Sequence, residues 1–479
     1  MSNYRKTNSN GRVFSIVLAA CLALSPFTAI RAAETPNSQD ASAARAHVIL
    51  VSLDTTRADH LGCYGSKRVK TPRLDALARE SILFEDCLTA VPTTLASHVT
   101  MFTGKYPHTH GVPRNGFLVN DENVMLAEIL KERGYRTAAF PASFALHGRF
   151  QIAQGFDYYD DGYQDVAAVG DPRNQRRAAD VTRAVLEHVG KMTGEGPWFL
   201  FVHYYDPHMP YDPPGAYRTM YAAGHGHRDV RGSRDAWGRS QSAPSTARLP
   251  DAYAGEVSYM DEHAGRLLDG LRARGILDGA LLLVTSDHGE TLLDHTPHFD
   301  HGLTVYEDTM HVICMFRLPG AARGGTRVSG QVSNSDFLPT ILGFLGLMPP
   351  KGVEGKAIDL LEETIRTPHD RVFGQATKPH AIVEAGQAWP NMRKARVVRE
   401  GDLAFIQTPF KGEEELYDLC RDPRQHRNLV EEKQWSSRVT ALREHLEAWA
   451  ASARPLPSRF ETSGRGETLE RLEALGYLE

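Results

Sequence analysis

Acidic and imidazole side chains follow three apolar runs of the chain, at the point where each run ends. Asp54 follows HVILVSL, Asp206 and His208 follow WFLFVHYY, and Asp287 and His288 follow ALLLVTS. Runs of this length, rich in Val, Ile and Leu, predict buried parallel strands. Open α/β sheets bind ligands at the carboxyl ends of their strands, and a carboxylate beside an imidazole suits a divalent metal ion. The alternative is that each acid caps the helix after its strand.

A second reactive stretch, AVPTTLASHVTMFTGKYPHTHGV, spans residues 90–112. It offers hydroxyl groups as nucleophiles, because a nearby base or metal ion can activate a hydroxyl. The residues after Thr94 predict a helix, and the amides at a helix N-terminus stabilise an incoming anion. Thr93, Thr94 and Ser97 are all candidates at this point, and the alternative is that a threonine hydroxyl only caps this helix.

Strand-like and helical segments alternate between these clusters. The helical segments include TPRLDALARE, VMLAEILKERG, ADVTRAVLEHVGKM and AYAGEVSYMDEHAGRLLDGLRARG, and RTAAF adds a further strand. Alternation predicts an α/β fold over residues 46–364, with a large mixed, mostly parallel sheet sandwiched by helices. The pattern then changes to a hairpin, KARVVREGDLAFIQT, that turns at Gly401 and Asp402, followed by the helix SRVTALREHLEAWAAS. Residues 365–479 are therefore predicted to form a small α+β domain with the C-terminal tail.

The composition is that of an ordinary globular protein, with 41% hydrophobic and 24% charged residues. The formal charge of −5, without a basic stripe, argues against nucleic acid as a partner. The cysteines show no CxxC spacing, so we do not expect a structural zinc site, and their pairing stays open.

The N-terminal residues 1–33 combine a basic leader, an apolar run and small residues, which predicts a signal peptide. We therefore expect a periplasmic or secreted protein. An uncleaved anchor is the alternative, but Pro26 and the mixed Ser and Thr content make the run a poor spanning helix, so we expect no transmembrane span in the mature chain. The box LAAC, which ends at Cys21, makes that cysteine a candidate for a lipid anchor.

Seven motifs resemble those of the sulfatase family, within the alkaline phosphatase superfamily, and occur in the same order. They are DTTRADHLGCYG, TLASHVTMFTGKYPHTHG, FVHYYDPHMPYDPP, SDHGE with FDHGLTVYEDTMHV, SDFLPTIL, GVEGKAIDLL and ELYDLCRDPRQHRNLV. The resemblance covers about residues 46–430. It implies a metal-dependent hydrolase that acts on ester bonds and has an alkaline phosphatase/sulfatase-like fold.

The resemblance also assigns the nucleophile position. Sulfatases carry a Cys or Ser followed by Pro two positions later, Arg four positions later and the Gly of a Thr-Gly pair ten positions later. If Gly104 is that glycine, Thr94 is the nucleophile, Ala96 replaces the proline and His98 replaces the arginine. The extra methyl group of threonine prevents its oxidation to the formylglycine aldehyde. Its hydroxyl could instead attack directly, as in superfamily relatives such as nucleotide phosphodiesterases and lipoteichoic acid synthases.

The implied metal ligands are Asp54, Asp287, His288 and the Thr94 oxygen, around one divalent ion. Thr55 stands where sulfatases usually carry a second Asp. A mixed set with an imidazole favours Mn²⁺ or Zn²⁺, and Ca²⁺ is the alternative, because Ca²⁺ prefers oxygen ligands alone. The set is similar to that of phosphonate monoester hydrolases in the same superfamily.

Three further residues are catalytic candidates. His208 matches the sulfatase histidine that contacts the ester oxygen, and His301 stands where many sulfatases place a lysine beside the leaving group. Either imidazole could act as a general acid, or be a hydrogen-bonded structural histidine. Lys105 follows the Thr-Gly pair and is either catalytic or solvated.

These observations predict cleavage of a phosphate or phosphonate ester through Thr94. The alternatives are a sulfuric ester hydrolase that works without formylglycine, a catalytically dead sulfatase-fold binding protein, and a phospho-group transferase of the envelope. The substrate is expected to be a small-molecule, lipid or glycan ester.

Overall fold

The structure is a computed structural model that describes residues 46–162, 175–191, 196–222, 249–296, 299–381, 389–461 and 465–474. The predicted signal peptide and Cys21 lie outside the described residues. The helices are α1 (Pro72–Arg79), α2 (Thr94–Thr103), α3 (Pro107–His110), α4 (Leu126–Glu132), α5 (Ala178–Lys191), α6 (Leu249–Ala273), α7 (Glu307–Met310), α8 (Phe337–Phe344), α9 (Ser436–Ala451) and α10 (Arg465–Ala474). The strands are β1 (His47–Leu53), β2 (Ile82–Leu88), β3 (Arg136–Phe140), β4 (Tyr158–Tyr159), β5 (Trp198–Tyr204), β6 (Ala280–Thr285), β7 (Thr291–Leu292), β8 (Phe299–Asp300), β9 (His311–Val312), β10 (Cys314–Arg317), β11 (Arg327–Ser333), β12 (Val372–Gln375), β13 (Arg396–Glu400), β14 (Leu403–Thr408) and β15 (Glu413–Asp418). Nowhere in these ranges is there a helix both long enough and apolar enough to cross a bilayer.

A nine-stranded sheet with the order β11-β2-β10-β6-β1-β5-β3-β4 forms the body of the fold, and β9 pairs with β2. Strand β1 is parallel to both β5 and β6, whereas β10 runs antiparallel to β2 and β6. The predicted α/β fold with a large, mixed and mostly parallel sheet is confirmed.

The central strands are apolar because helices cover both faces of the sheet. Every residue of β5 and β6 is buried. The register pairs Ser52 of β1 with His203 of β5 and with Thr285 of β6, so the three strands end at nearly the same level. Their carboxyl ends place Asp54, the loop after β5, and Asp287 along one edge of the sheet.

Helix α2 carries the predicted nucleophile and is fully enclosed. All ten of its residues are buried, which explains why the segment shows no polar face. The helix ends at Gly104, which has a φ of 66°. A side chain there would lie 2.8 Å from Val353, so both the backbone conformation and the space require glycine.

The C-terminal region forms a second, antiparallel sheet with the order β12-β13-β14-β15. Strands β13 and β14 form the predicted hairpin, in which Glu400 pairs with Leu403. One face, with Val398 and Phe405, packs against α9, and the other face packs against the large domain. The smaller α+β unit is thus confirmed, while the boundary between residues 364 and 365 stays a prediction.

Arg399 of β13 joins the two sheets through buried ion pairs. Its guanidinium donates to Glu307 at 2.6 Å and to Asp86 of β2 at 3.0 Å, and only 5% of its side chain is exposed. Removal of the Arg399 guanidinium would leave two mostly buried carboxylates without a positively charged partner.

We expect Arg399→Met to lower the free energy of unfolding by about 3 kcal/mol, because both acids lose their partner while staying mostly buried. Arg438→Met is the matched control, since Arg438 is 44% exposed and pairs with Glu400 at the surface, so its loss should cost less than about 1 kcal/mol. Urea unfolding followed by tryptophan fluorescence measures both. Equal effects of the two substitutions would contradict the role given to Arg399.

Candidate active site

Two buried carboxylates face each other at the ends of β1 and β6. One oxygen of each is already bonded: Asp54 Oδ2 lies 3.0 Å from His203 Nε2, and Asp287 Oδ1 accepts from the amides of Thr55 at 3.1 Å and His288 at 2.8 Å. Thr55 reaches this position with a φ of 49°, which is strained for a β-branched residue. The other two oxygens, Asp54 Oδ1 and Asp287 Oδ2, are buried and accept no hydrogen bond.

His288 adds a lone pair to this pair of oxygens. Its Nδ1 donates to the carbonyl of Gly289 at 2.9 Å, which leaves Nε2 without a proton in the neutral ring. Nε2 lies 3.4 Å from Asp287 Oδ2 and 3.4 Å from the hydroxyl oxygen of Thr94. A hydrogen bond from the distal nitrogen to a backbone carbonyl is the usual way in which proteins orient a metal-binding imidazole.

The three groups fit a divalent cation. Ligand atoms of Asp54, Asp287 and His288 all lie within 4.8 Å of one another, and all three residues are buried. The pKa of Asp54 is raised well above its ordinary value, first by burial and then by repulsion from Asp287 and Glu290. A cation between the carboxylates would offset both costs.

His98, His203 and Asp287 also lie within 4.8 Å of one another, but they fit an ion less well. His98 donates from Nδ1 to the carbonyl of Thr94 at 2.7 Å, and its Nε2 accepts from the Ser52 hydroxyl at 2.9 Å. Both ring nitrogens of His203 are hydrogen-bonded as well. An ion would have to displace these bonds, so the group with His288 is the better metal centre.

Thr94 is the first residue of α2, and its side chain lies inside the site. The residue at the N-cap position is Thr93, and its side chain makes no capping hydrogen bond. The neighbouring amide of Leu95 is bonded to Asn115 Oδ1 at 2.7 Å. Thr94 is fully buried, and its hydroxyl oxygen lies beside His288, as measured above. Its surroundings therefore differ from those of a simple helix cap.

His301 lies next to His288, and His208 lies next to His301. The ring centroids of His208 and His301 are 5.1 Å apart, and those of His301 and His288 are 4.4 Å apart. Burial, followed by the charge of Lys378, lowers the pKa of His301 to about 4. Burial and the neighbouring His301 also lower the pKa of His208 well below its ordinary value. Both rings are uncharged near neutral pH without a bound ion.

Lys105 is not brought to this site. It follows the C-terminus of α2, whereas Thr94 begins the helix, and ten residues of helix span roughly 15 Å. Its Nζ donates to Asn123 Oδ1 at 3.2 Å. The structure thus separates Lys105 from the nucleophile position by the length of the helix.

Three buried residues at the site were not singled out from the sequence, although two of them, Glu290 and His203, lie inside the motifs SDHGE and FVHYYDPHMPYDPP. Glu290 Oε2 lies 3.5 Å from His301 Nδ1, and burial raises the pKa of Glu290 to about 8. Lys378, from the loop after β12, donates to Asp300 at 2.7 Å and helps to line a narrow cavity beside His301. His203 was detectable only as a polar residue within an apolar strand.

Residues 46–347 match the sulfatase family. The chain belongs to this family. Residues 295–452 match the C-terminal region described as N-sulphoglucosamine sulphohydrolase, C-terminal. As a sulfatase-family member, the protein is a hydrolase acting on ester bonds, which confirms the family and the enzyme class predicted from the sequence.

Proteins similar to this sulfatase-family member include sulfatases and a phosphonate monoester hydrolase. It is 27% identical to an arylsulfatase of Clostridium perfringens, over 84% of this chain and 93% of the relative. It is 24% identical to an N-acetylglucosamine-6-O-sulfatase of Bacteroides thetaiotaomicron, over 88% and 89%. The phosphonate monoester hydrolase of Agrobacterium radiobacter has a similar fold, with a TM-score of 0.69 at 22% identity, over 87% of this chain and 97% of that chain.

We expect His288→Ala to weaken Mn²⁺ binding by more than about 100-fold. Removal of a residue that only supports a ligand weakens metal binding by about 10- to 100-fold, and removal of a ligand itself should weaken it further. His98→Gln is the comparison variant, since His98 belongs only to the alternative group, and it should bind Mn²⁺ within about tenfold of the wild type. Isothermal titration of the metal-free protein measures both affinities. Loss of binding in His98→Gln with retention in His288→Ala would favour the alternative group.

Proposed function

We propose that the protein hydrolyses phosphate or phosphonate esters with Thr94 as the nucleophile, at one divalent ion. The ion would be held by Asp54, Asp287, His288 and the Thr94 oxygen. The observation that carries this proposal is the position of the buried Thr94 hydroxyl, 3.4 Å from the unprotonated nitrogen of His288 at the start of α2. When bound, a divalent ion supplies positive charge that lowers the pKa of an adjacent hydroxyl.

The identity of residue 94 favours phosphorus over sulfur. The formylglycine route of sulfatases depends on an aldehyde hydrate, and threonine cannot be oxidised to an aldehyde because its β-carbon carries a methyl group. A threonine ester must therefore be cleaved by attack of water on the transferred group. Superfamily relatives with a nucleophilic threonine follow this route through a phospho-threonine.

In the first half of the proposed reaction, the Thr94 hydroxyl loses its proton and its oxygen bonds to phosphorus. The bond from phosphorus to the alcohol oxygen breaks, and the proton lost by Thr94 passes to that oxygen by way of His301, which is uncharged before the reaction and stands at the family's leaving-group position. In the second half, a water oxygen bonds to phosphorus, the bond to Thr94 breaks, and the Thr94 oxygen takes up the proton that the water loses. His208 suits removal of the water proton, because its Nδ1 donates to the Met209 carbonyl at 2.7 Å and Nε2 carries the lone pair.

The charge of the site favours a singly charged ester. The family's arginine is replaced by His98 and its leaving-group lysine by His301, and burial lowers the pKa of both imidazoles. Two permanent positive charges are thus replaced by groups that are uncharged near neutral pH. Phosphodiesters and phosphonate monoesters carry one negative charge, whereas a phosphate monoester carries up to two, so the first two classes suit the site better.

Hydrolysis of a sulfate ester is the second candidate, supported by the sulfatase names of the relatives. A sulfate monoester also carries a single charge, so the charge of the site does not separate it from the phosphorus esters. A catalytically dead binding protein is disfavoured, because the residues at the metal positions all have ligating side chains.

We expect Mn²⁺-loaded protein to cleave bis-p-nitrophenyl phosphate and p-nitrophenyl phenylphosphonate faster than p-nitrophenyl phosphate and p-nitrophenyl sulfate. Thr94→Val preserves the shape of the side chain without the hydroxyl, and should lower kcat by at least about 10³-fold. Thr94→Ser keeps the hydroxyl and should retain measurable turnover. Release of p-nitrophenolate gives all of these rates.

Two results would count against the proposal. Turnover of the sulfate ester above that of every phosphorus ester would reassign the substrate class to sulfate esters. Equal activity of wild type and Thr94→Val would exclude Thr94 as the nucleophile.

A further inference from the structure

His203 stands at the centre of the sheet, directly behind the proposed metal centre. It belongs to β5, pairs in register with Ser52 of β1, and is fully buried. Buried polar side chains inside an apolar strand are rare unless their hydrogen bonds are satisfied. The two bonds of His203 therefore indicate what this residue does.

These bonds fix one tautomer. The amide of Ala142 can only donate, and it points to His203 Nδ1 at 3.2 Å, so Nδ1 carries the lone pair. The proton of the neutral ring is then on Nε2, which donates to Asp54 Oδ2 at 3.0 Å. Burial and the neighbouring His98 lower the pKa of His203 well below its ordinary value, which agrees with an uncharged ring.

His98 holds the ring of His203 in place. The two ring centroids are 5.1 Å apart and the rings are nearly perpendicular, at 89°. His98 is itself fixed between Ser52 and the carbonyl of Thr94 by two hydrogen bonds. The orientation of the His203 ring is thereby constrained by packing against His98 as well as by its own two hydrogen bonds.

We propose that His203 is a positioning residue that selects which oxygen of Asp54 faces the metal ion. With Oδ2 bound by His203, only Oδ1 is directed to the centre, where it is buried and accepts no hydrogen bond. Asp54 thus becomes a ligand through one oxygen with a fixed orientation. The inference rests on the proposed metal centre and assigns no direct contact with substrate to His203.

Outer partners of this kind change metal affinity by about 10- to 100-fold when they are removed. We expect His203→Phe, which keeps the ring but removes the donor, to weaken Mn²⁺ binding by that factor. His203→Gln restores an N–H near the position of Nε2 and should bind Mn²⁺ within about threefold of the wild type. Titration of the metal-free protein measures the affinity independently of any activity.

His110→Phe is the matched control. His110 is also fully buried, its Nδ1 also accepts from a backbone amide, that of Val112 at 3.1 Å, and its Nε2 lies 3.2 Å from the Thr100 hydroxyl. It belongs to neither candidate metal group. The substitution should therefore leave the Mn²⁺ affinity unchanged although it perturbs packing in a similar way.

The variants separate the outcomes. Unchanged affinity in His203→Phe, or equal losses in His203→Phe and His203→Gln, would overturn the positioning role. Equal losses in His203→Phe and His110→Phe would show a general packing effect and also overturn it. If His203→Phe does not fold by circular dichroism, His203→Asn serves instead, because its shorter amide does not reach Asp54. Failure of the wild type to bind any divalent ion would refute the proposed metal centre itself.

Discussion

The rest of this site depends on one constraint: the fold holds two carboxylates close together and away from water. Asp54 and Asp287 extend from adjacent strands of one sheet, so the register of β1 and β6 fixes their separation. Burial and like charge both oppose ionisation of such a pair. Donors of the chain satisfy one oxygen of each acid, whereas the other oxygen of each is buried and accepts no hydrogen bond, an arrangement that suits a cation. The repulsion between the two acids would favour the uptake of a positive charge at the proposed metal centre.

The helix that carries Thr94 serves the same arrangement from the other side. It is completely enclosed, and it ends at Gly104, where the positive φ and the close contact with Val353 both require glycine. The start of the helix is tied to the sheet through His98, which bonds the carbonyl of Thr94 to Ser52 of β1. Thr94, the proposed nucleophile, and Asp54 are therefore both tied to β1, which limits their relative movement.

The sequence predicted those features that depend on local patterns. Central strands such as β6 are continuous apolar runs, the hairpin at Gly401 has an evident turn, and Asp287 and His288 follow directly from a strand end. Long-range pairing is different, because no local pattern records which side chains meet. The bond between His203 and Asp54 joins residues 149 positions apart, and Lys378 reaches the site from the second sheet. Lys105 lies in the same sequence motif as Thr94, but the length of α2 separates the two residues in space.

Thr94 has a consequence for how the protein becomes functional. A formylglycine residue has to be produced by oxidation of a Cys or Ser side chain, so the active fraction of such a protein depends on that modification. A threonine at this position requires no such step, and its burial at the start of α2 would in any case hide it from an enzyme once the chain has folded. If Thr94 is the nucleophile, correct folding and the capture of an ion are sufficient for activity. Under the proposed mechanism, the active fraction is set by metal supply alone, whichever host synthesises the chain.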